Sequence, residues 1–118
     1  MRAKTFSAAA ILVLLVGCAS GIEVTKTAQG TFTPTNPDAV EILLTRPEKP
    51  YEELGTVTVK DYNTSYRAEM YNAIRVRVAP LGADAVILTN QGVRPIGGAW
   101  LMWAYGVAIR YKTGGEQR

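Results

Sequence analysis

The 118-residue chain holds one cysteine, Cys18, and no histidine, so little of the usual side-chain chemistry is open to it. Without histidine it lacks the commonest general base, the commonest metal ligand and the physiological-pH switch. A zinc site of Cys/His type has no ligands to draw on. Serine is thin as well. Ser7 and Ser20 fall near the start and Ser65 precedes an amphipathic stretch; none sits in a strand-to-helix nucleophile elbow. Carboxylates remain. Glu52 and Glu53 adjoin a proline-bounded turn, and Glu41 falls on the outward side of an alternating stretch. A glycosidase needs two such groups about 5 to 9.5 Å apart across a cleft, and nothing in their surroundings predicts a cleft. The acids lack the spacing of a calcium loop. Gly97, Gly98, Gly114 and Gly115 precede no helix that could cradle a phosphate. No catalytic residue, metal site or cofactor is expected.

The setting of Cys18 is more informative. Arg2 and Lys4 open the chain, no acid occurs before Glu23, and an unbroken weakly polar to apolar run extends from Phe6 to Val16. That is the layout of an export signal, and it is far shorter than the ~20 residues needed to span a bilayer. The segment Leu15-Val16-Gly17-Cys18 resembles the lipobox of bacterial lipoproteins: an aliphatic residue, a small or β-branched one, Gly or Ala, then Cys. The resemblance implies that residues 1–17 are a signal peptide and that the Cys18 thiol carries a diacylglycerol. Ala19 and Ser20 follow, and the absence of Asp after the cysteine resembles lipoproteins sent to the outer membrane, facing the periplasm. With its thiol consumed, the mature chain has no disulfide in an oxidising compartment. Removal of residues 1–17 leaves 101 residues, with 11 basic against 10 acidic side chains. That is one domain's length. No basic cluster appears, so a nucleic-acid partner is not expected.

The elements that would position any site follow from periodicity. Residues 18–37, rich in Thr, Gly and Pro, read as a lipidated tether, with Phe32 able to dock back on the domain. From Asp38 the pattern changes, and an α+β domain is expected over 38–113 with a frayed tail at 114–118. Val40, Ile42 and Leu44 alternate in a first strand; Val57 and Val59 face inward in a second over 53–60, with a bulge or close approach at Gly55. Asp61 to Ser65 offer helix caps, and Tyr66, Met70, Ile74 and Val78 form an apolar stripe behind them, closed by Pro80 and Gly82. Residues 83–89 read as a third, buried strand and 90–98 as a loop. Residues 99–112 alternate as a fourth strand. Its bulky odd face, Leu101, Trp103, Tyr105, Val107 and Ile109, is expected against the helix. The order strand, strand, helix, strand, strand gives one helix on one mixed sheet. If strands two and three are neighbours, the helical crossover makes them parallel and right-handed.

On that arrangement the even face of the last strand points away from the helix, and its Trp100 and Met102 become the candidate interaction surface. The tether or Phe32 could cover them instead. The small residues Ala104, Gly106 and Ala108 farther along would admit another layer, as in self-association.

The stretch Pro47-Glu-Lys-Pro-Tyr-Glu-Glu-Leu-Gly-Thr-Val-Thr-Val59, the helix, and Leu81-Gly-Ala-Asp-Ala-Val-Ile87 resemble a broad group of small bacterial domains. The group includes the Rcs stress-sensor lipoproteins and the YbjQ-type heavy-metal-binding domains, and the likeness extends over roughly 33–112. It also takes in outer-membrane lipoproteins with a proline-rich lead like Thr33-Pro-Thr-Asn-Pro37. It implies the fold and envelope residence. The stress sensors are tied by disulfides and the metal-binding label needs Cys or His. With no His and its one Cys given to lipid, this chain offers neither, so neither mechanism carries over. Asp84 could accept backbone hydrogen bonds at the start of the third strand, or stand solvated in a turn. The leading expectation is a non-enzymatic envelope lipoprotein that binds an envelope protein, a polymer or its own copies. Envelope-stress sensing or a regulatory subunit is the alternative, and a carboxylate enzyme the third.

Overall fold

A computed structural model describes residues 21–113 of the chain. Residues 1–20, with the Leu15-Val16-Gly17-Cys18 segment, and the tail 114–118 lie outside the described residues. The architecture is α+β. Among the described residues, five strands form one mixed sheet in the order β1-β3-β5-β4-β2, and a single α-helix packs on one face of it. The strands are β1 (Ile22–Lys26), β2 (Glu41–Leu43), β3 (Tyr51–Asn63), β4 (Ala85–Ile96) and β5 (Ala99–Tyr111); the helix is α1 (Arg67–Val78).

The first strand corrects the tether expected over 18–37. Ile22 and Val24 alternate with Glu23 and Thr25, and β1 pairs antiparallel with β3, Ile22 opposite Val59 and Lys26 opposite Gly55. Threonine content reads as a linker, but β-branched side chains are also good strand formers once one face has a core to cover. The chain that follows β1 is bound at several points as well. Thr35 donates its N–H to the Ala79 carbonyl at 3.0 Å and its hydroxyl to the Ala83 carbonyl at 2.5 Å. Phe32 docks back on the core, with the Arg110 guanidinium 4.6 Å from its ring centroid.

The helix follows the expected stripe. Met70, Ile74 and Val78 are fully buried in the main core with Leu54, Val57, Val59 and Leu88. Tyr66 stands outside it, at the helix cap and exposed. Among the candidate caps, Asn63 serves: its Oδ1 accepts the Ser65 N–H at 2.9 Å and opens a 3-10 turn over Thr64–Tyr66. Another 3-10 turn, Ala79–Leu81, ends the helix where Pro80 stops it. The first expected strand shrinks to three residues. Val40 is buried ahead of it and Leu44 is exposed beyond it, because the chain leaves the sheet after Leu43.

The crossover differs from the conditional expectation. β3 and β4 are not neighbours, since β5 lies between them, antiparallel to both. The parallel pair is β2 with β4. The stretch 90–98 is not a loop either. β4 continues through Ile96, paired with β5 along its length, and only Gly97 and Gly98 turn. Both have positive φ, 56° and 84°. A two-residue hairpin turn of type I′ needs that backbone region at both positions, which glycine adopts without strain.

The face of β5 is the largest correction. Met102, Ala104, Gly106 and Ala108, the even positions, lie under the helix, and the bulky odd positions lie on the other side. The reason is thickness: α1 and β3 fill the space over the central strand with their own large side chains, so β5 contributes small residues there. The small stripe of β5 therefore admits the protein's own helix. The bulky odd face builds a second, thinner cluster on the helix-free side, where Ile109, Ala85 and Ile87 are buried with Leu43, Tyr51, Val107 and Tyr111 around them.

Candidate functional site

Of the two residues expected to form an interaction surface, the structure keeps one. Met102 is 1% exposed and belongs to the core under the helix; Trp100 is 58% exposed near the hairpin turn. Both are even positions of β5, but the helix covers only the first. Met102 is therefore a packing residue.

The candidate site lies on the helix-free face. Trp103 and Tyr105 are neighbours two apart along β5, which puts both rings on that face. Their centroids are 5.5 Å apart with the planes tilted by 48°, an arrangement in the range that aromatic pairs favour. Gly92 of β4 sits opposite Trp103, and a Cβ there would lie 2.6 Å from Trp103 Cζ2. The missing side chain lets the indole lie down across the neighbouring strand. Lys60 from β3 and Arg94 from β4 flank the two rings, and the four side chains line an open pocket of about 170 Å³.

Two irregularities aim these cations. The register of β3 on β5 shifts between Val59 and Tyr62, and Asp61 within that shift has φ 61°. Such a bulge re-aims side chains at a sheet's working surface. Asp61 then pairs with Arg94, Oδ1 to Nη2 at 3.2 Å, with both side chains more than half exposed. Exposed pairs of this kind contribute about 0–1 kcal/mol, so the contact orients Arg94 without tying up its donors. β4 has a matching shift between Leu88 and Asn90.

The carboxylates are elsewhere. Glu52 and Glu53 are adjacent on a strand and so point to opposite faces, which prevents them from acting as a pair. Glu52 binds Arg110 at 3.0 Å. Glu41 accepts from the Tyr111 hydroxyl at 3.1 Å. None of the three lines the pocket. Asp84 does accept a backbone hydrogen bond, but from Tyr111 of β5 at 2.9 Å and not from its own strand. Burial first, then the Glu41 hydrogen bond and the charges of Glu41 and Asp84, push the Tyr111 phenol above its ordinary pKa of 10.0. Among the described residues, no three His, Cys, Asp or Glu side chains cluster to hold a metal ion, and no helix is long and apolar enough to cross a membrane.

Sequence reasoning missed this site because it placed the odd face of β5 inward. The available signal was Gly92 between Gln91 and Val93 in β4, eleven residues before Trp103. No family model and no curated protein sequence matches the chain. Among solved structures it is similar to a Francisella virulence factor, FvfA, at 14% identity with a TM-score of 0.49, covering 77% of this chain and 97% of that one.

Proposed function

We propose that this chain is a lipid-anchored, non-enzymatic module of a bacterial-type cell envelope, which binds an envelope protein or polymer through the helix-free face of its sheet. The Leu15-Val16-Gly17-Cys18 segment behind a basic and apolar leader carries the reading. The lipid supplies the membrane attachment; several acyl chains hold firmly, because each buried CH₂ contributes about 0.8 kcal/mol. The Trp103–Tyr105 platform supplies broad apolar area from side chains with few rotors, and Lys60 and Arg94 add charge at its rim. Aromatic anchors beside a cation are the composition that binding surfaces favour. A segment that lays a flat or apolar group on the two rings and an acid beside them fits this face. Glu52 and Glu41 lie away from the pocket, paired with Arg110 and Tyr111, which supports binding over hydrolysis.

The reading is tested in whole cells. Radiolabelled palmitate is expected to enter the wild type and not Cys18→Ser, which should leave the membrane fraction. A photo-crosslinking residue at Tyr105, which is 49% exposed, is expected to give a discrete adduct. Lys60→Glu with Arg94→Glu should abolish it. A labelled, membrane-bound protein that gives no adduct at Tyr105 would remove this face from the proposal.

A further inference from the structure

Resting on the lipid-anchor reading, the geometry points to a second membrane contact: we propose that the β4–β5 hairpin tip, with Trp100, Ile96 and Val93, dips into the interfacial layer of the bilayer that holds Cys18. The argument begins with the length of chain between anchor and domain. The Gly21 carbonyl accepts the Lys60 N–H at 2.9 Å, so the domain is pinned from residue 21 onward. Three Cα steps separate Gly21 from Cys18, a reach of at most about 11 Å. The domain has no room to stand off from its membrane.

Which end of the domain lies nearest is set by topology. β1 runs antiparallel to β3, so its first residue, Ile22, lies at the C-terminal end of β3, opposite Val59. Val59 in turn faces Ala104 of β5. From Ala104 the hairpin continues toward the same end, through Trp103, Met102, Leu101 and Trp100 to Ala99 and the Gly97–Gly98 turn. Five strand steps from Ala104 to Ala99 extend the tip about 17 Å beyond the level of Ile22. An extended chain from Ile22 back to Cys18 covers at most about 14 Å. With the sheet upright, the tip reaches the level of the lipidated sulfur or passes it.

The tip is built for that place. Trp100, Ile96 and Val93 are exposed on it, and Tyr66 is exposed at the adjoining start of α1; these are four of the seven large apolar or aromatic side chains exposed among the described residues. Tryptophan and tyrosine favour the headgroup level, where an apolar ring is buried and its polar edge stays wet. Lys60 and Arg94 sit at the same end, near the headgroups. Glu41, Glu52 and Asp84 lie at the opposite end, where β2 and β4 begin and β5 finishes. The bilayer therefore meets the apolar end, where Lys60 stands beside the Arg94–Asp61 pair. The same contact would orient the helix-free face sideways, open to the periplasmic space.

The test uses the two tryptophans as reporters. The lipidated full chain is purified from cells and placed in phosphatidylethanolamine–phosphatidylglycerol vesicles, some with brominated acyl chains. Trp103→Phe leaves Trp100 alone, and Trp100→Phe leaves Trp103 alone. The wild type minus Trp100→Phe gives the Trp100 signal without disturbing the ring over Gly92. The expected result is a blue shift and about twofold quenching of Trp100 by the bromines, with Trp103 little affected, as headgroup-level placement requires. Palmitate labelling with an unquenched, acrylamide-accessible Trp100 overturns this inference and leaves the anchor reading standing. A blue shift without bromine quenching also overturns it, since a protein surface then covers the tip. Failure of Cys18 to take the label overturns both.

Discussion

Replacing Met102 with alanine separates the observed orientation of β5 from its inverse. Met102 is 1% exposed and sits in the main core, with Tyr62 and Val93 as its cross-strand neighbours. Truncating a buried methionine to alanine costs about 2–5 kcal/mol, the spread depending on how far the site collapses. Here collapse is poor. Its neighbour along the same face is Ala104, which cannot swing in, and Tyr62 is held in the β3 bulge. A cost of about 3 kcal/mol is therefore expected. In a domain of this size each kcal/mol moves the unfolding midpoint by roughly 4–8 °C, so Met102→Ala should lower it by roughly 12–24 °C. Tyr105→Ala is the matched control on the opposite face. It removes a larger side chain that is 49% exposed, and its cost should stay near 1 kcal/mol or below. Both are read by far-ultraviolet circular dichroism during a thermal ramp, with urea unfolding as an independent measure. If Tyr105→Ala proves the costly variant and Met102→Ala falls within about 0.5 kcal/mol of wild type, the odd face of β5 packs under the helix and the candidate site is lost with it.

Gly92→Ala should force the Trp103 indole off its strand, because the new Cβ would lie 2.6 Å from the ring. The expected cost is about 1–3 kcal/mol, with a changed Trp103 emission maximum. Unchanged emission and stability would mean that the indole does not rest there. The Gln91 side-chain oxygen is buried without a hydrogen-bond partner; removing an unmet polar group of this kind relieves about 1–3 kcal/mol, so Gln91→Leu should raise the unfolding midpoint in urea. Tyr111 supplies a pH test. Its pKa is raised in the folded state, so its contribution is fully present below the ordinary tyrosine pKa of 10.0 and is lost as pH climbs through the folded value. Tyr111→Phe should flatten that part of the alkaline loss of stability, and identical pH profiles for the two proteins would refute the assignment.

Several features were legible in the residues alone. Met70, Ile74 and Val78 recur at helical spacing, and Pro80 stops the run, so α1 could be placed, though it is shorter than the Tyr66-to-Leu81 stripe. The alternation from Ala99 to Lys112 announced a long strand and located it almost to its ends. Those properties are local: a period of four or of two is written in consecutive residues, and a proline acts on its own hydrogen bond. The Leu15-to-Cys18 segment is a short motif of the same local kind, on which the proposed lipid anchor rests.

What tertiary structure alone decided is which face of each strand looks inward, and what pairs with what. Periodicity states that β5 has two faces and says nothing about which one meets the helix. Bulk suggested the odd face; the thickness of side chains already supplied by α1, β3 and β4 chose the small, even one. The same holds at the N-terminus, where Ile22 and Val24 become a strand only because β3 presents an open edge to them. It holds again for Gly92, whose missing side chain has meaning only beside Trp103. Each of these outcomes depends on residues tens of positions away competing for one volume, and sequence spacing carries no measure of that competition.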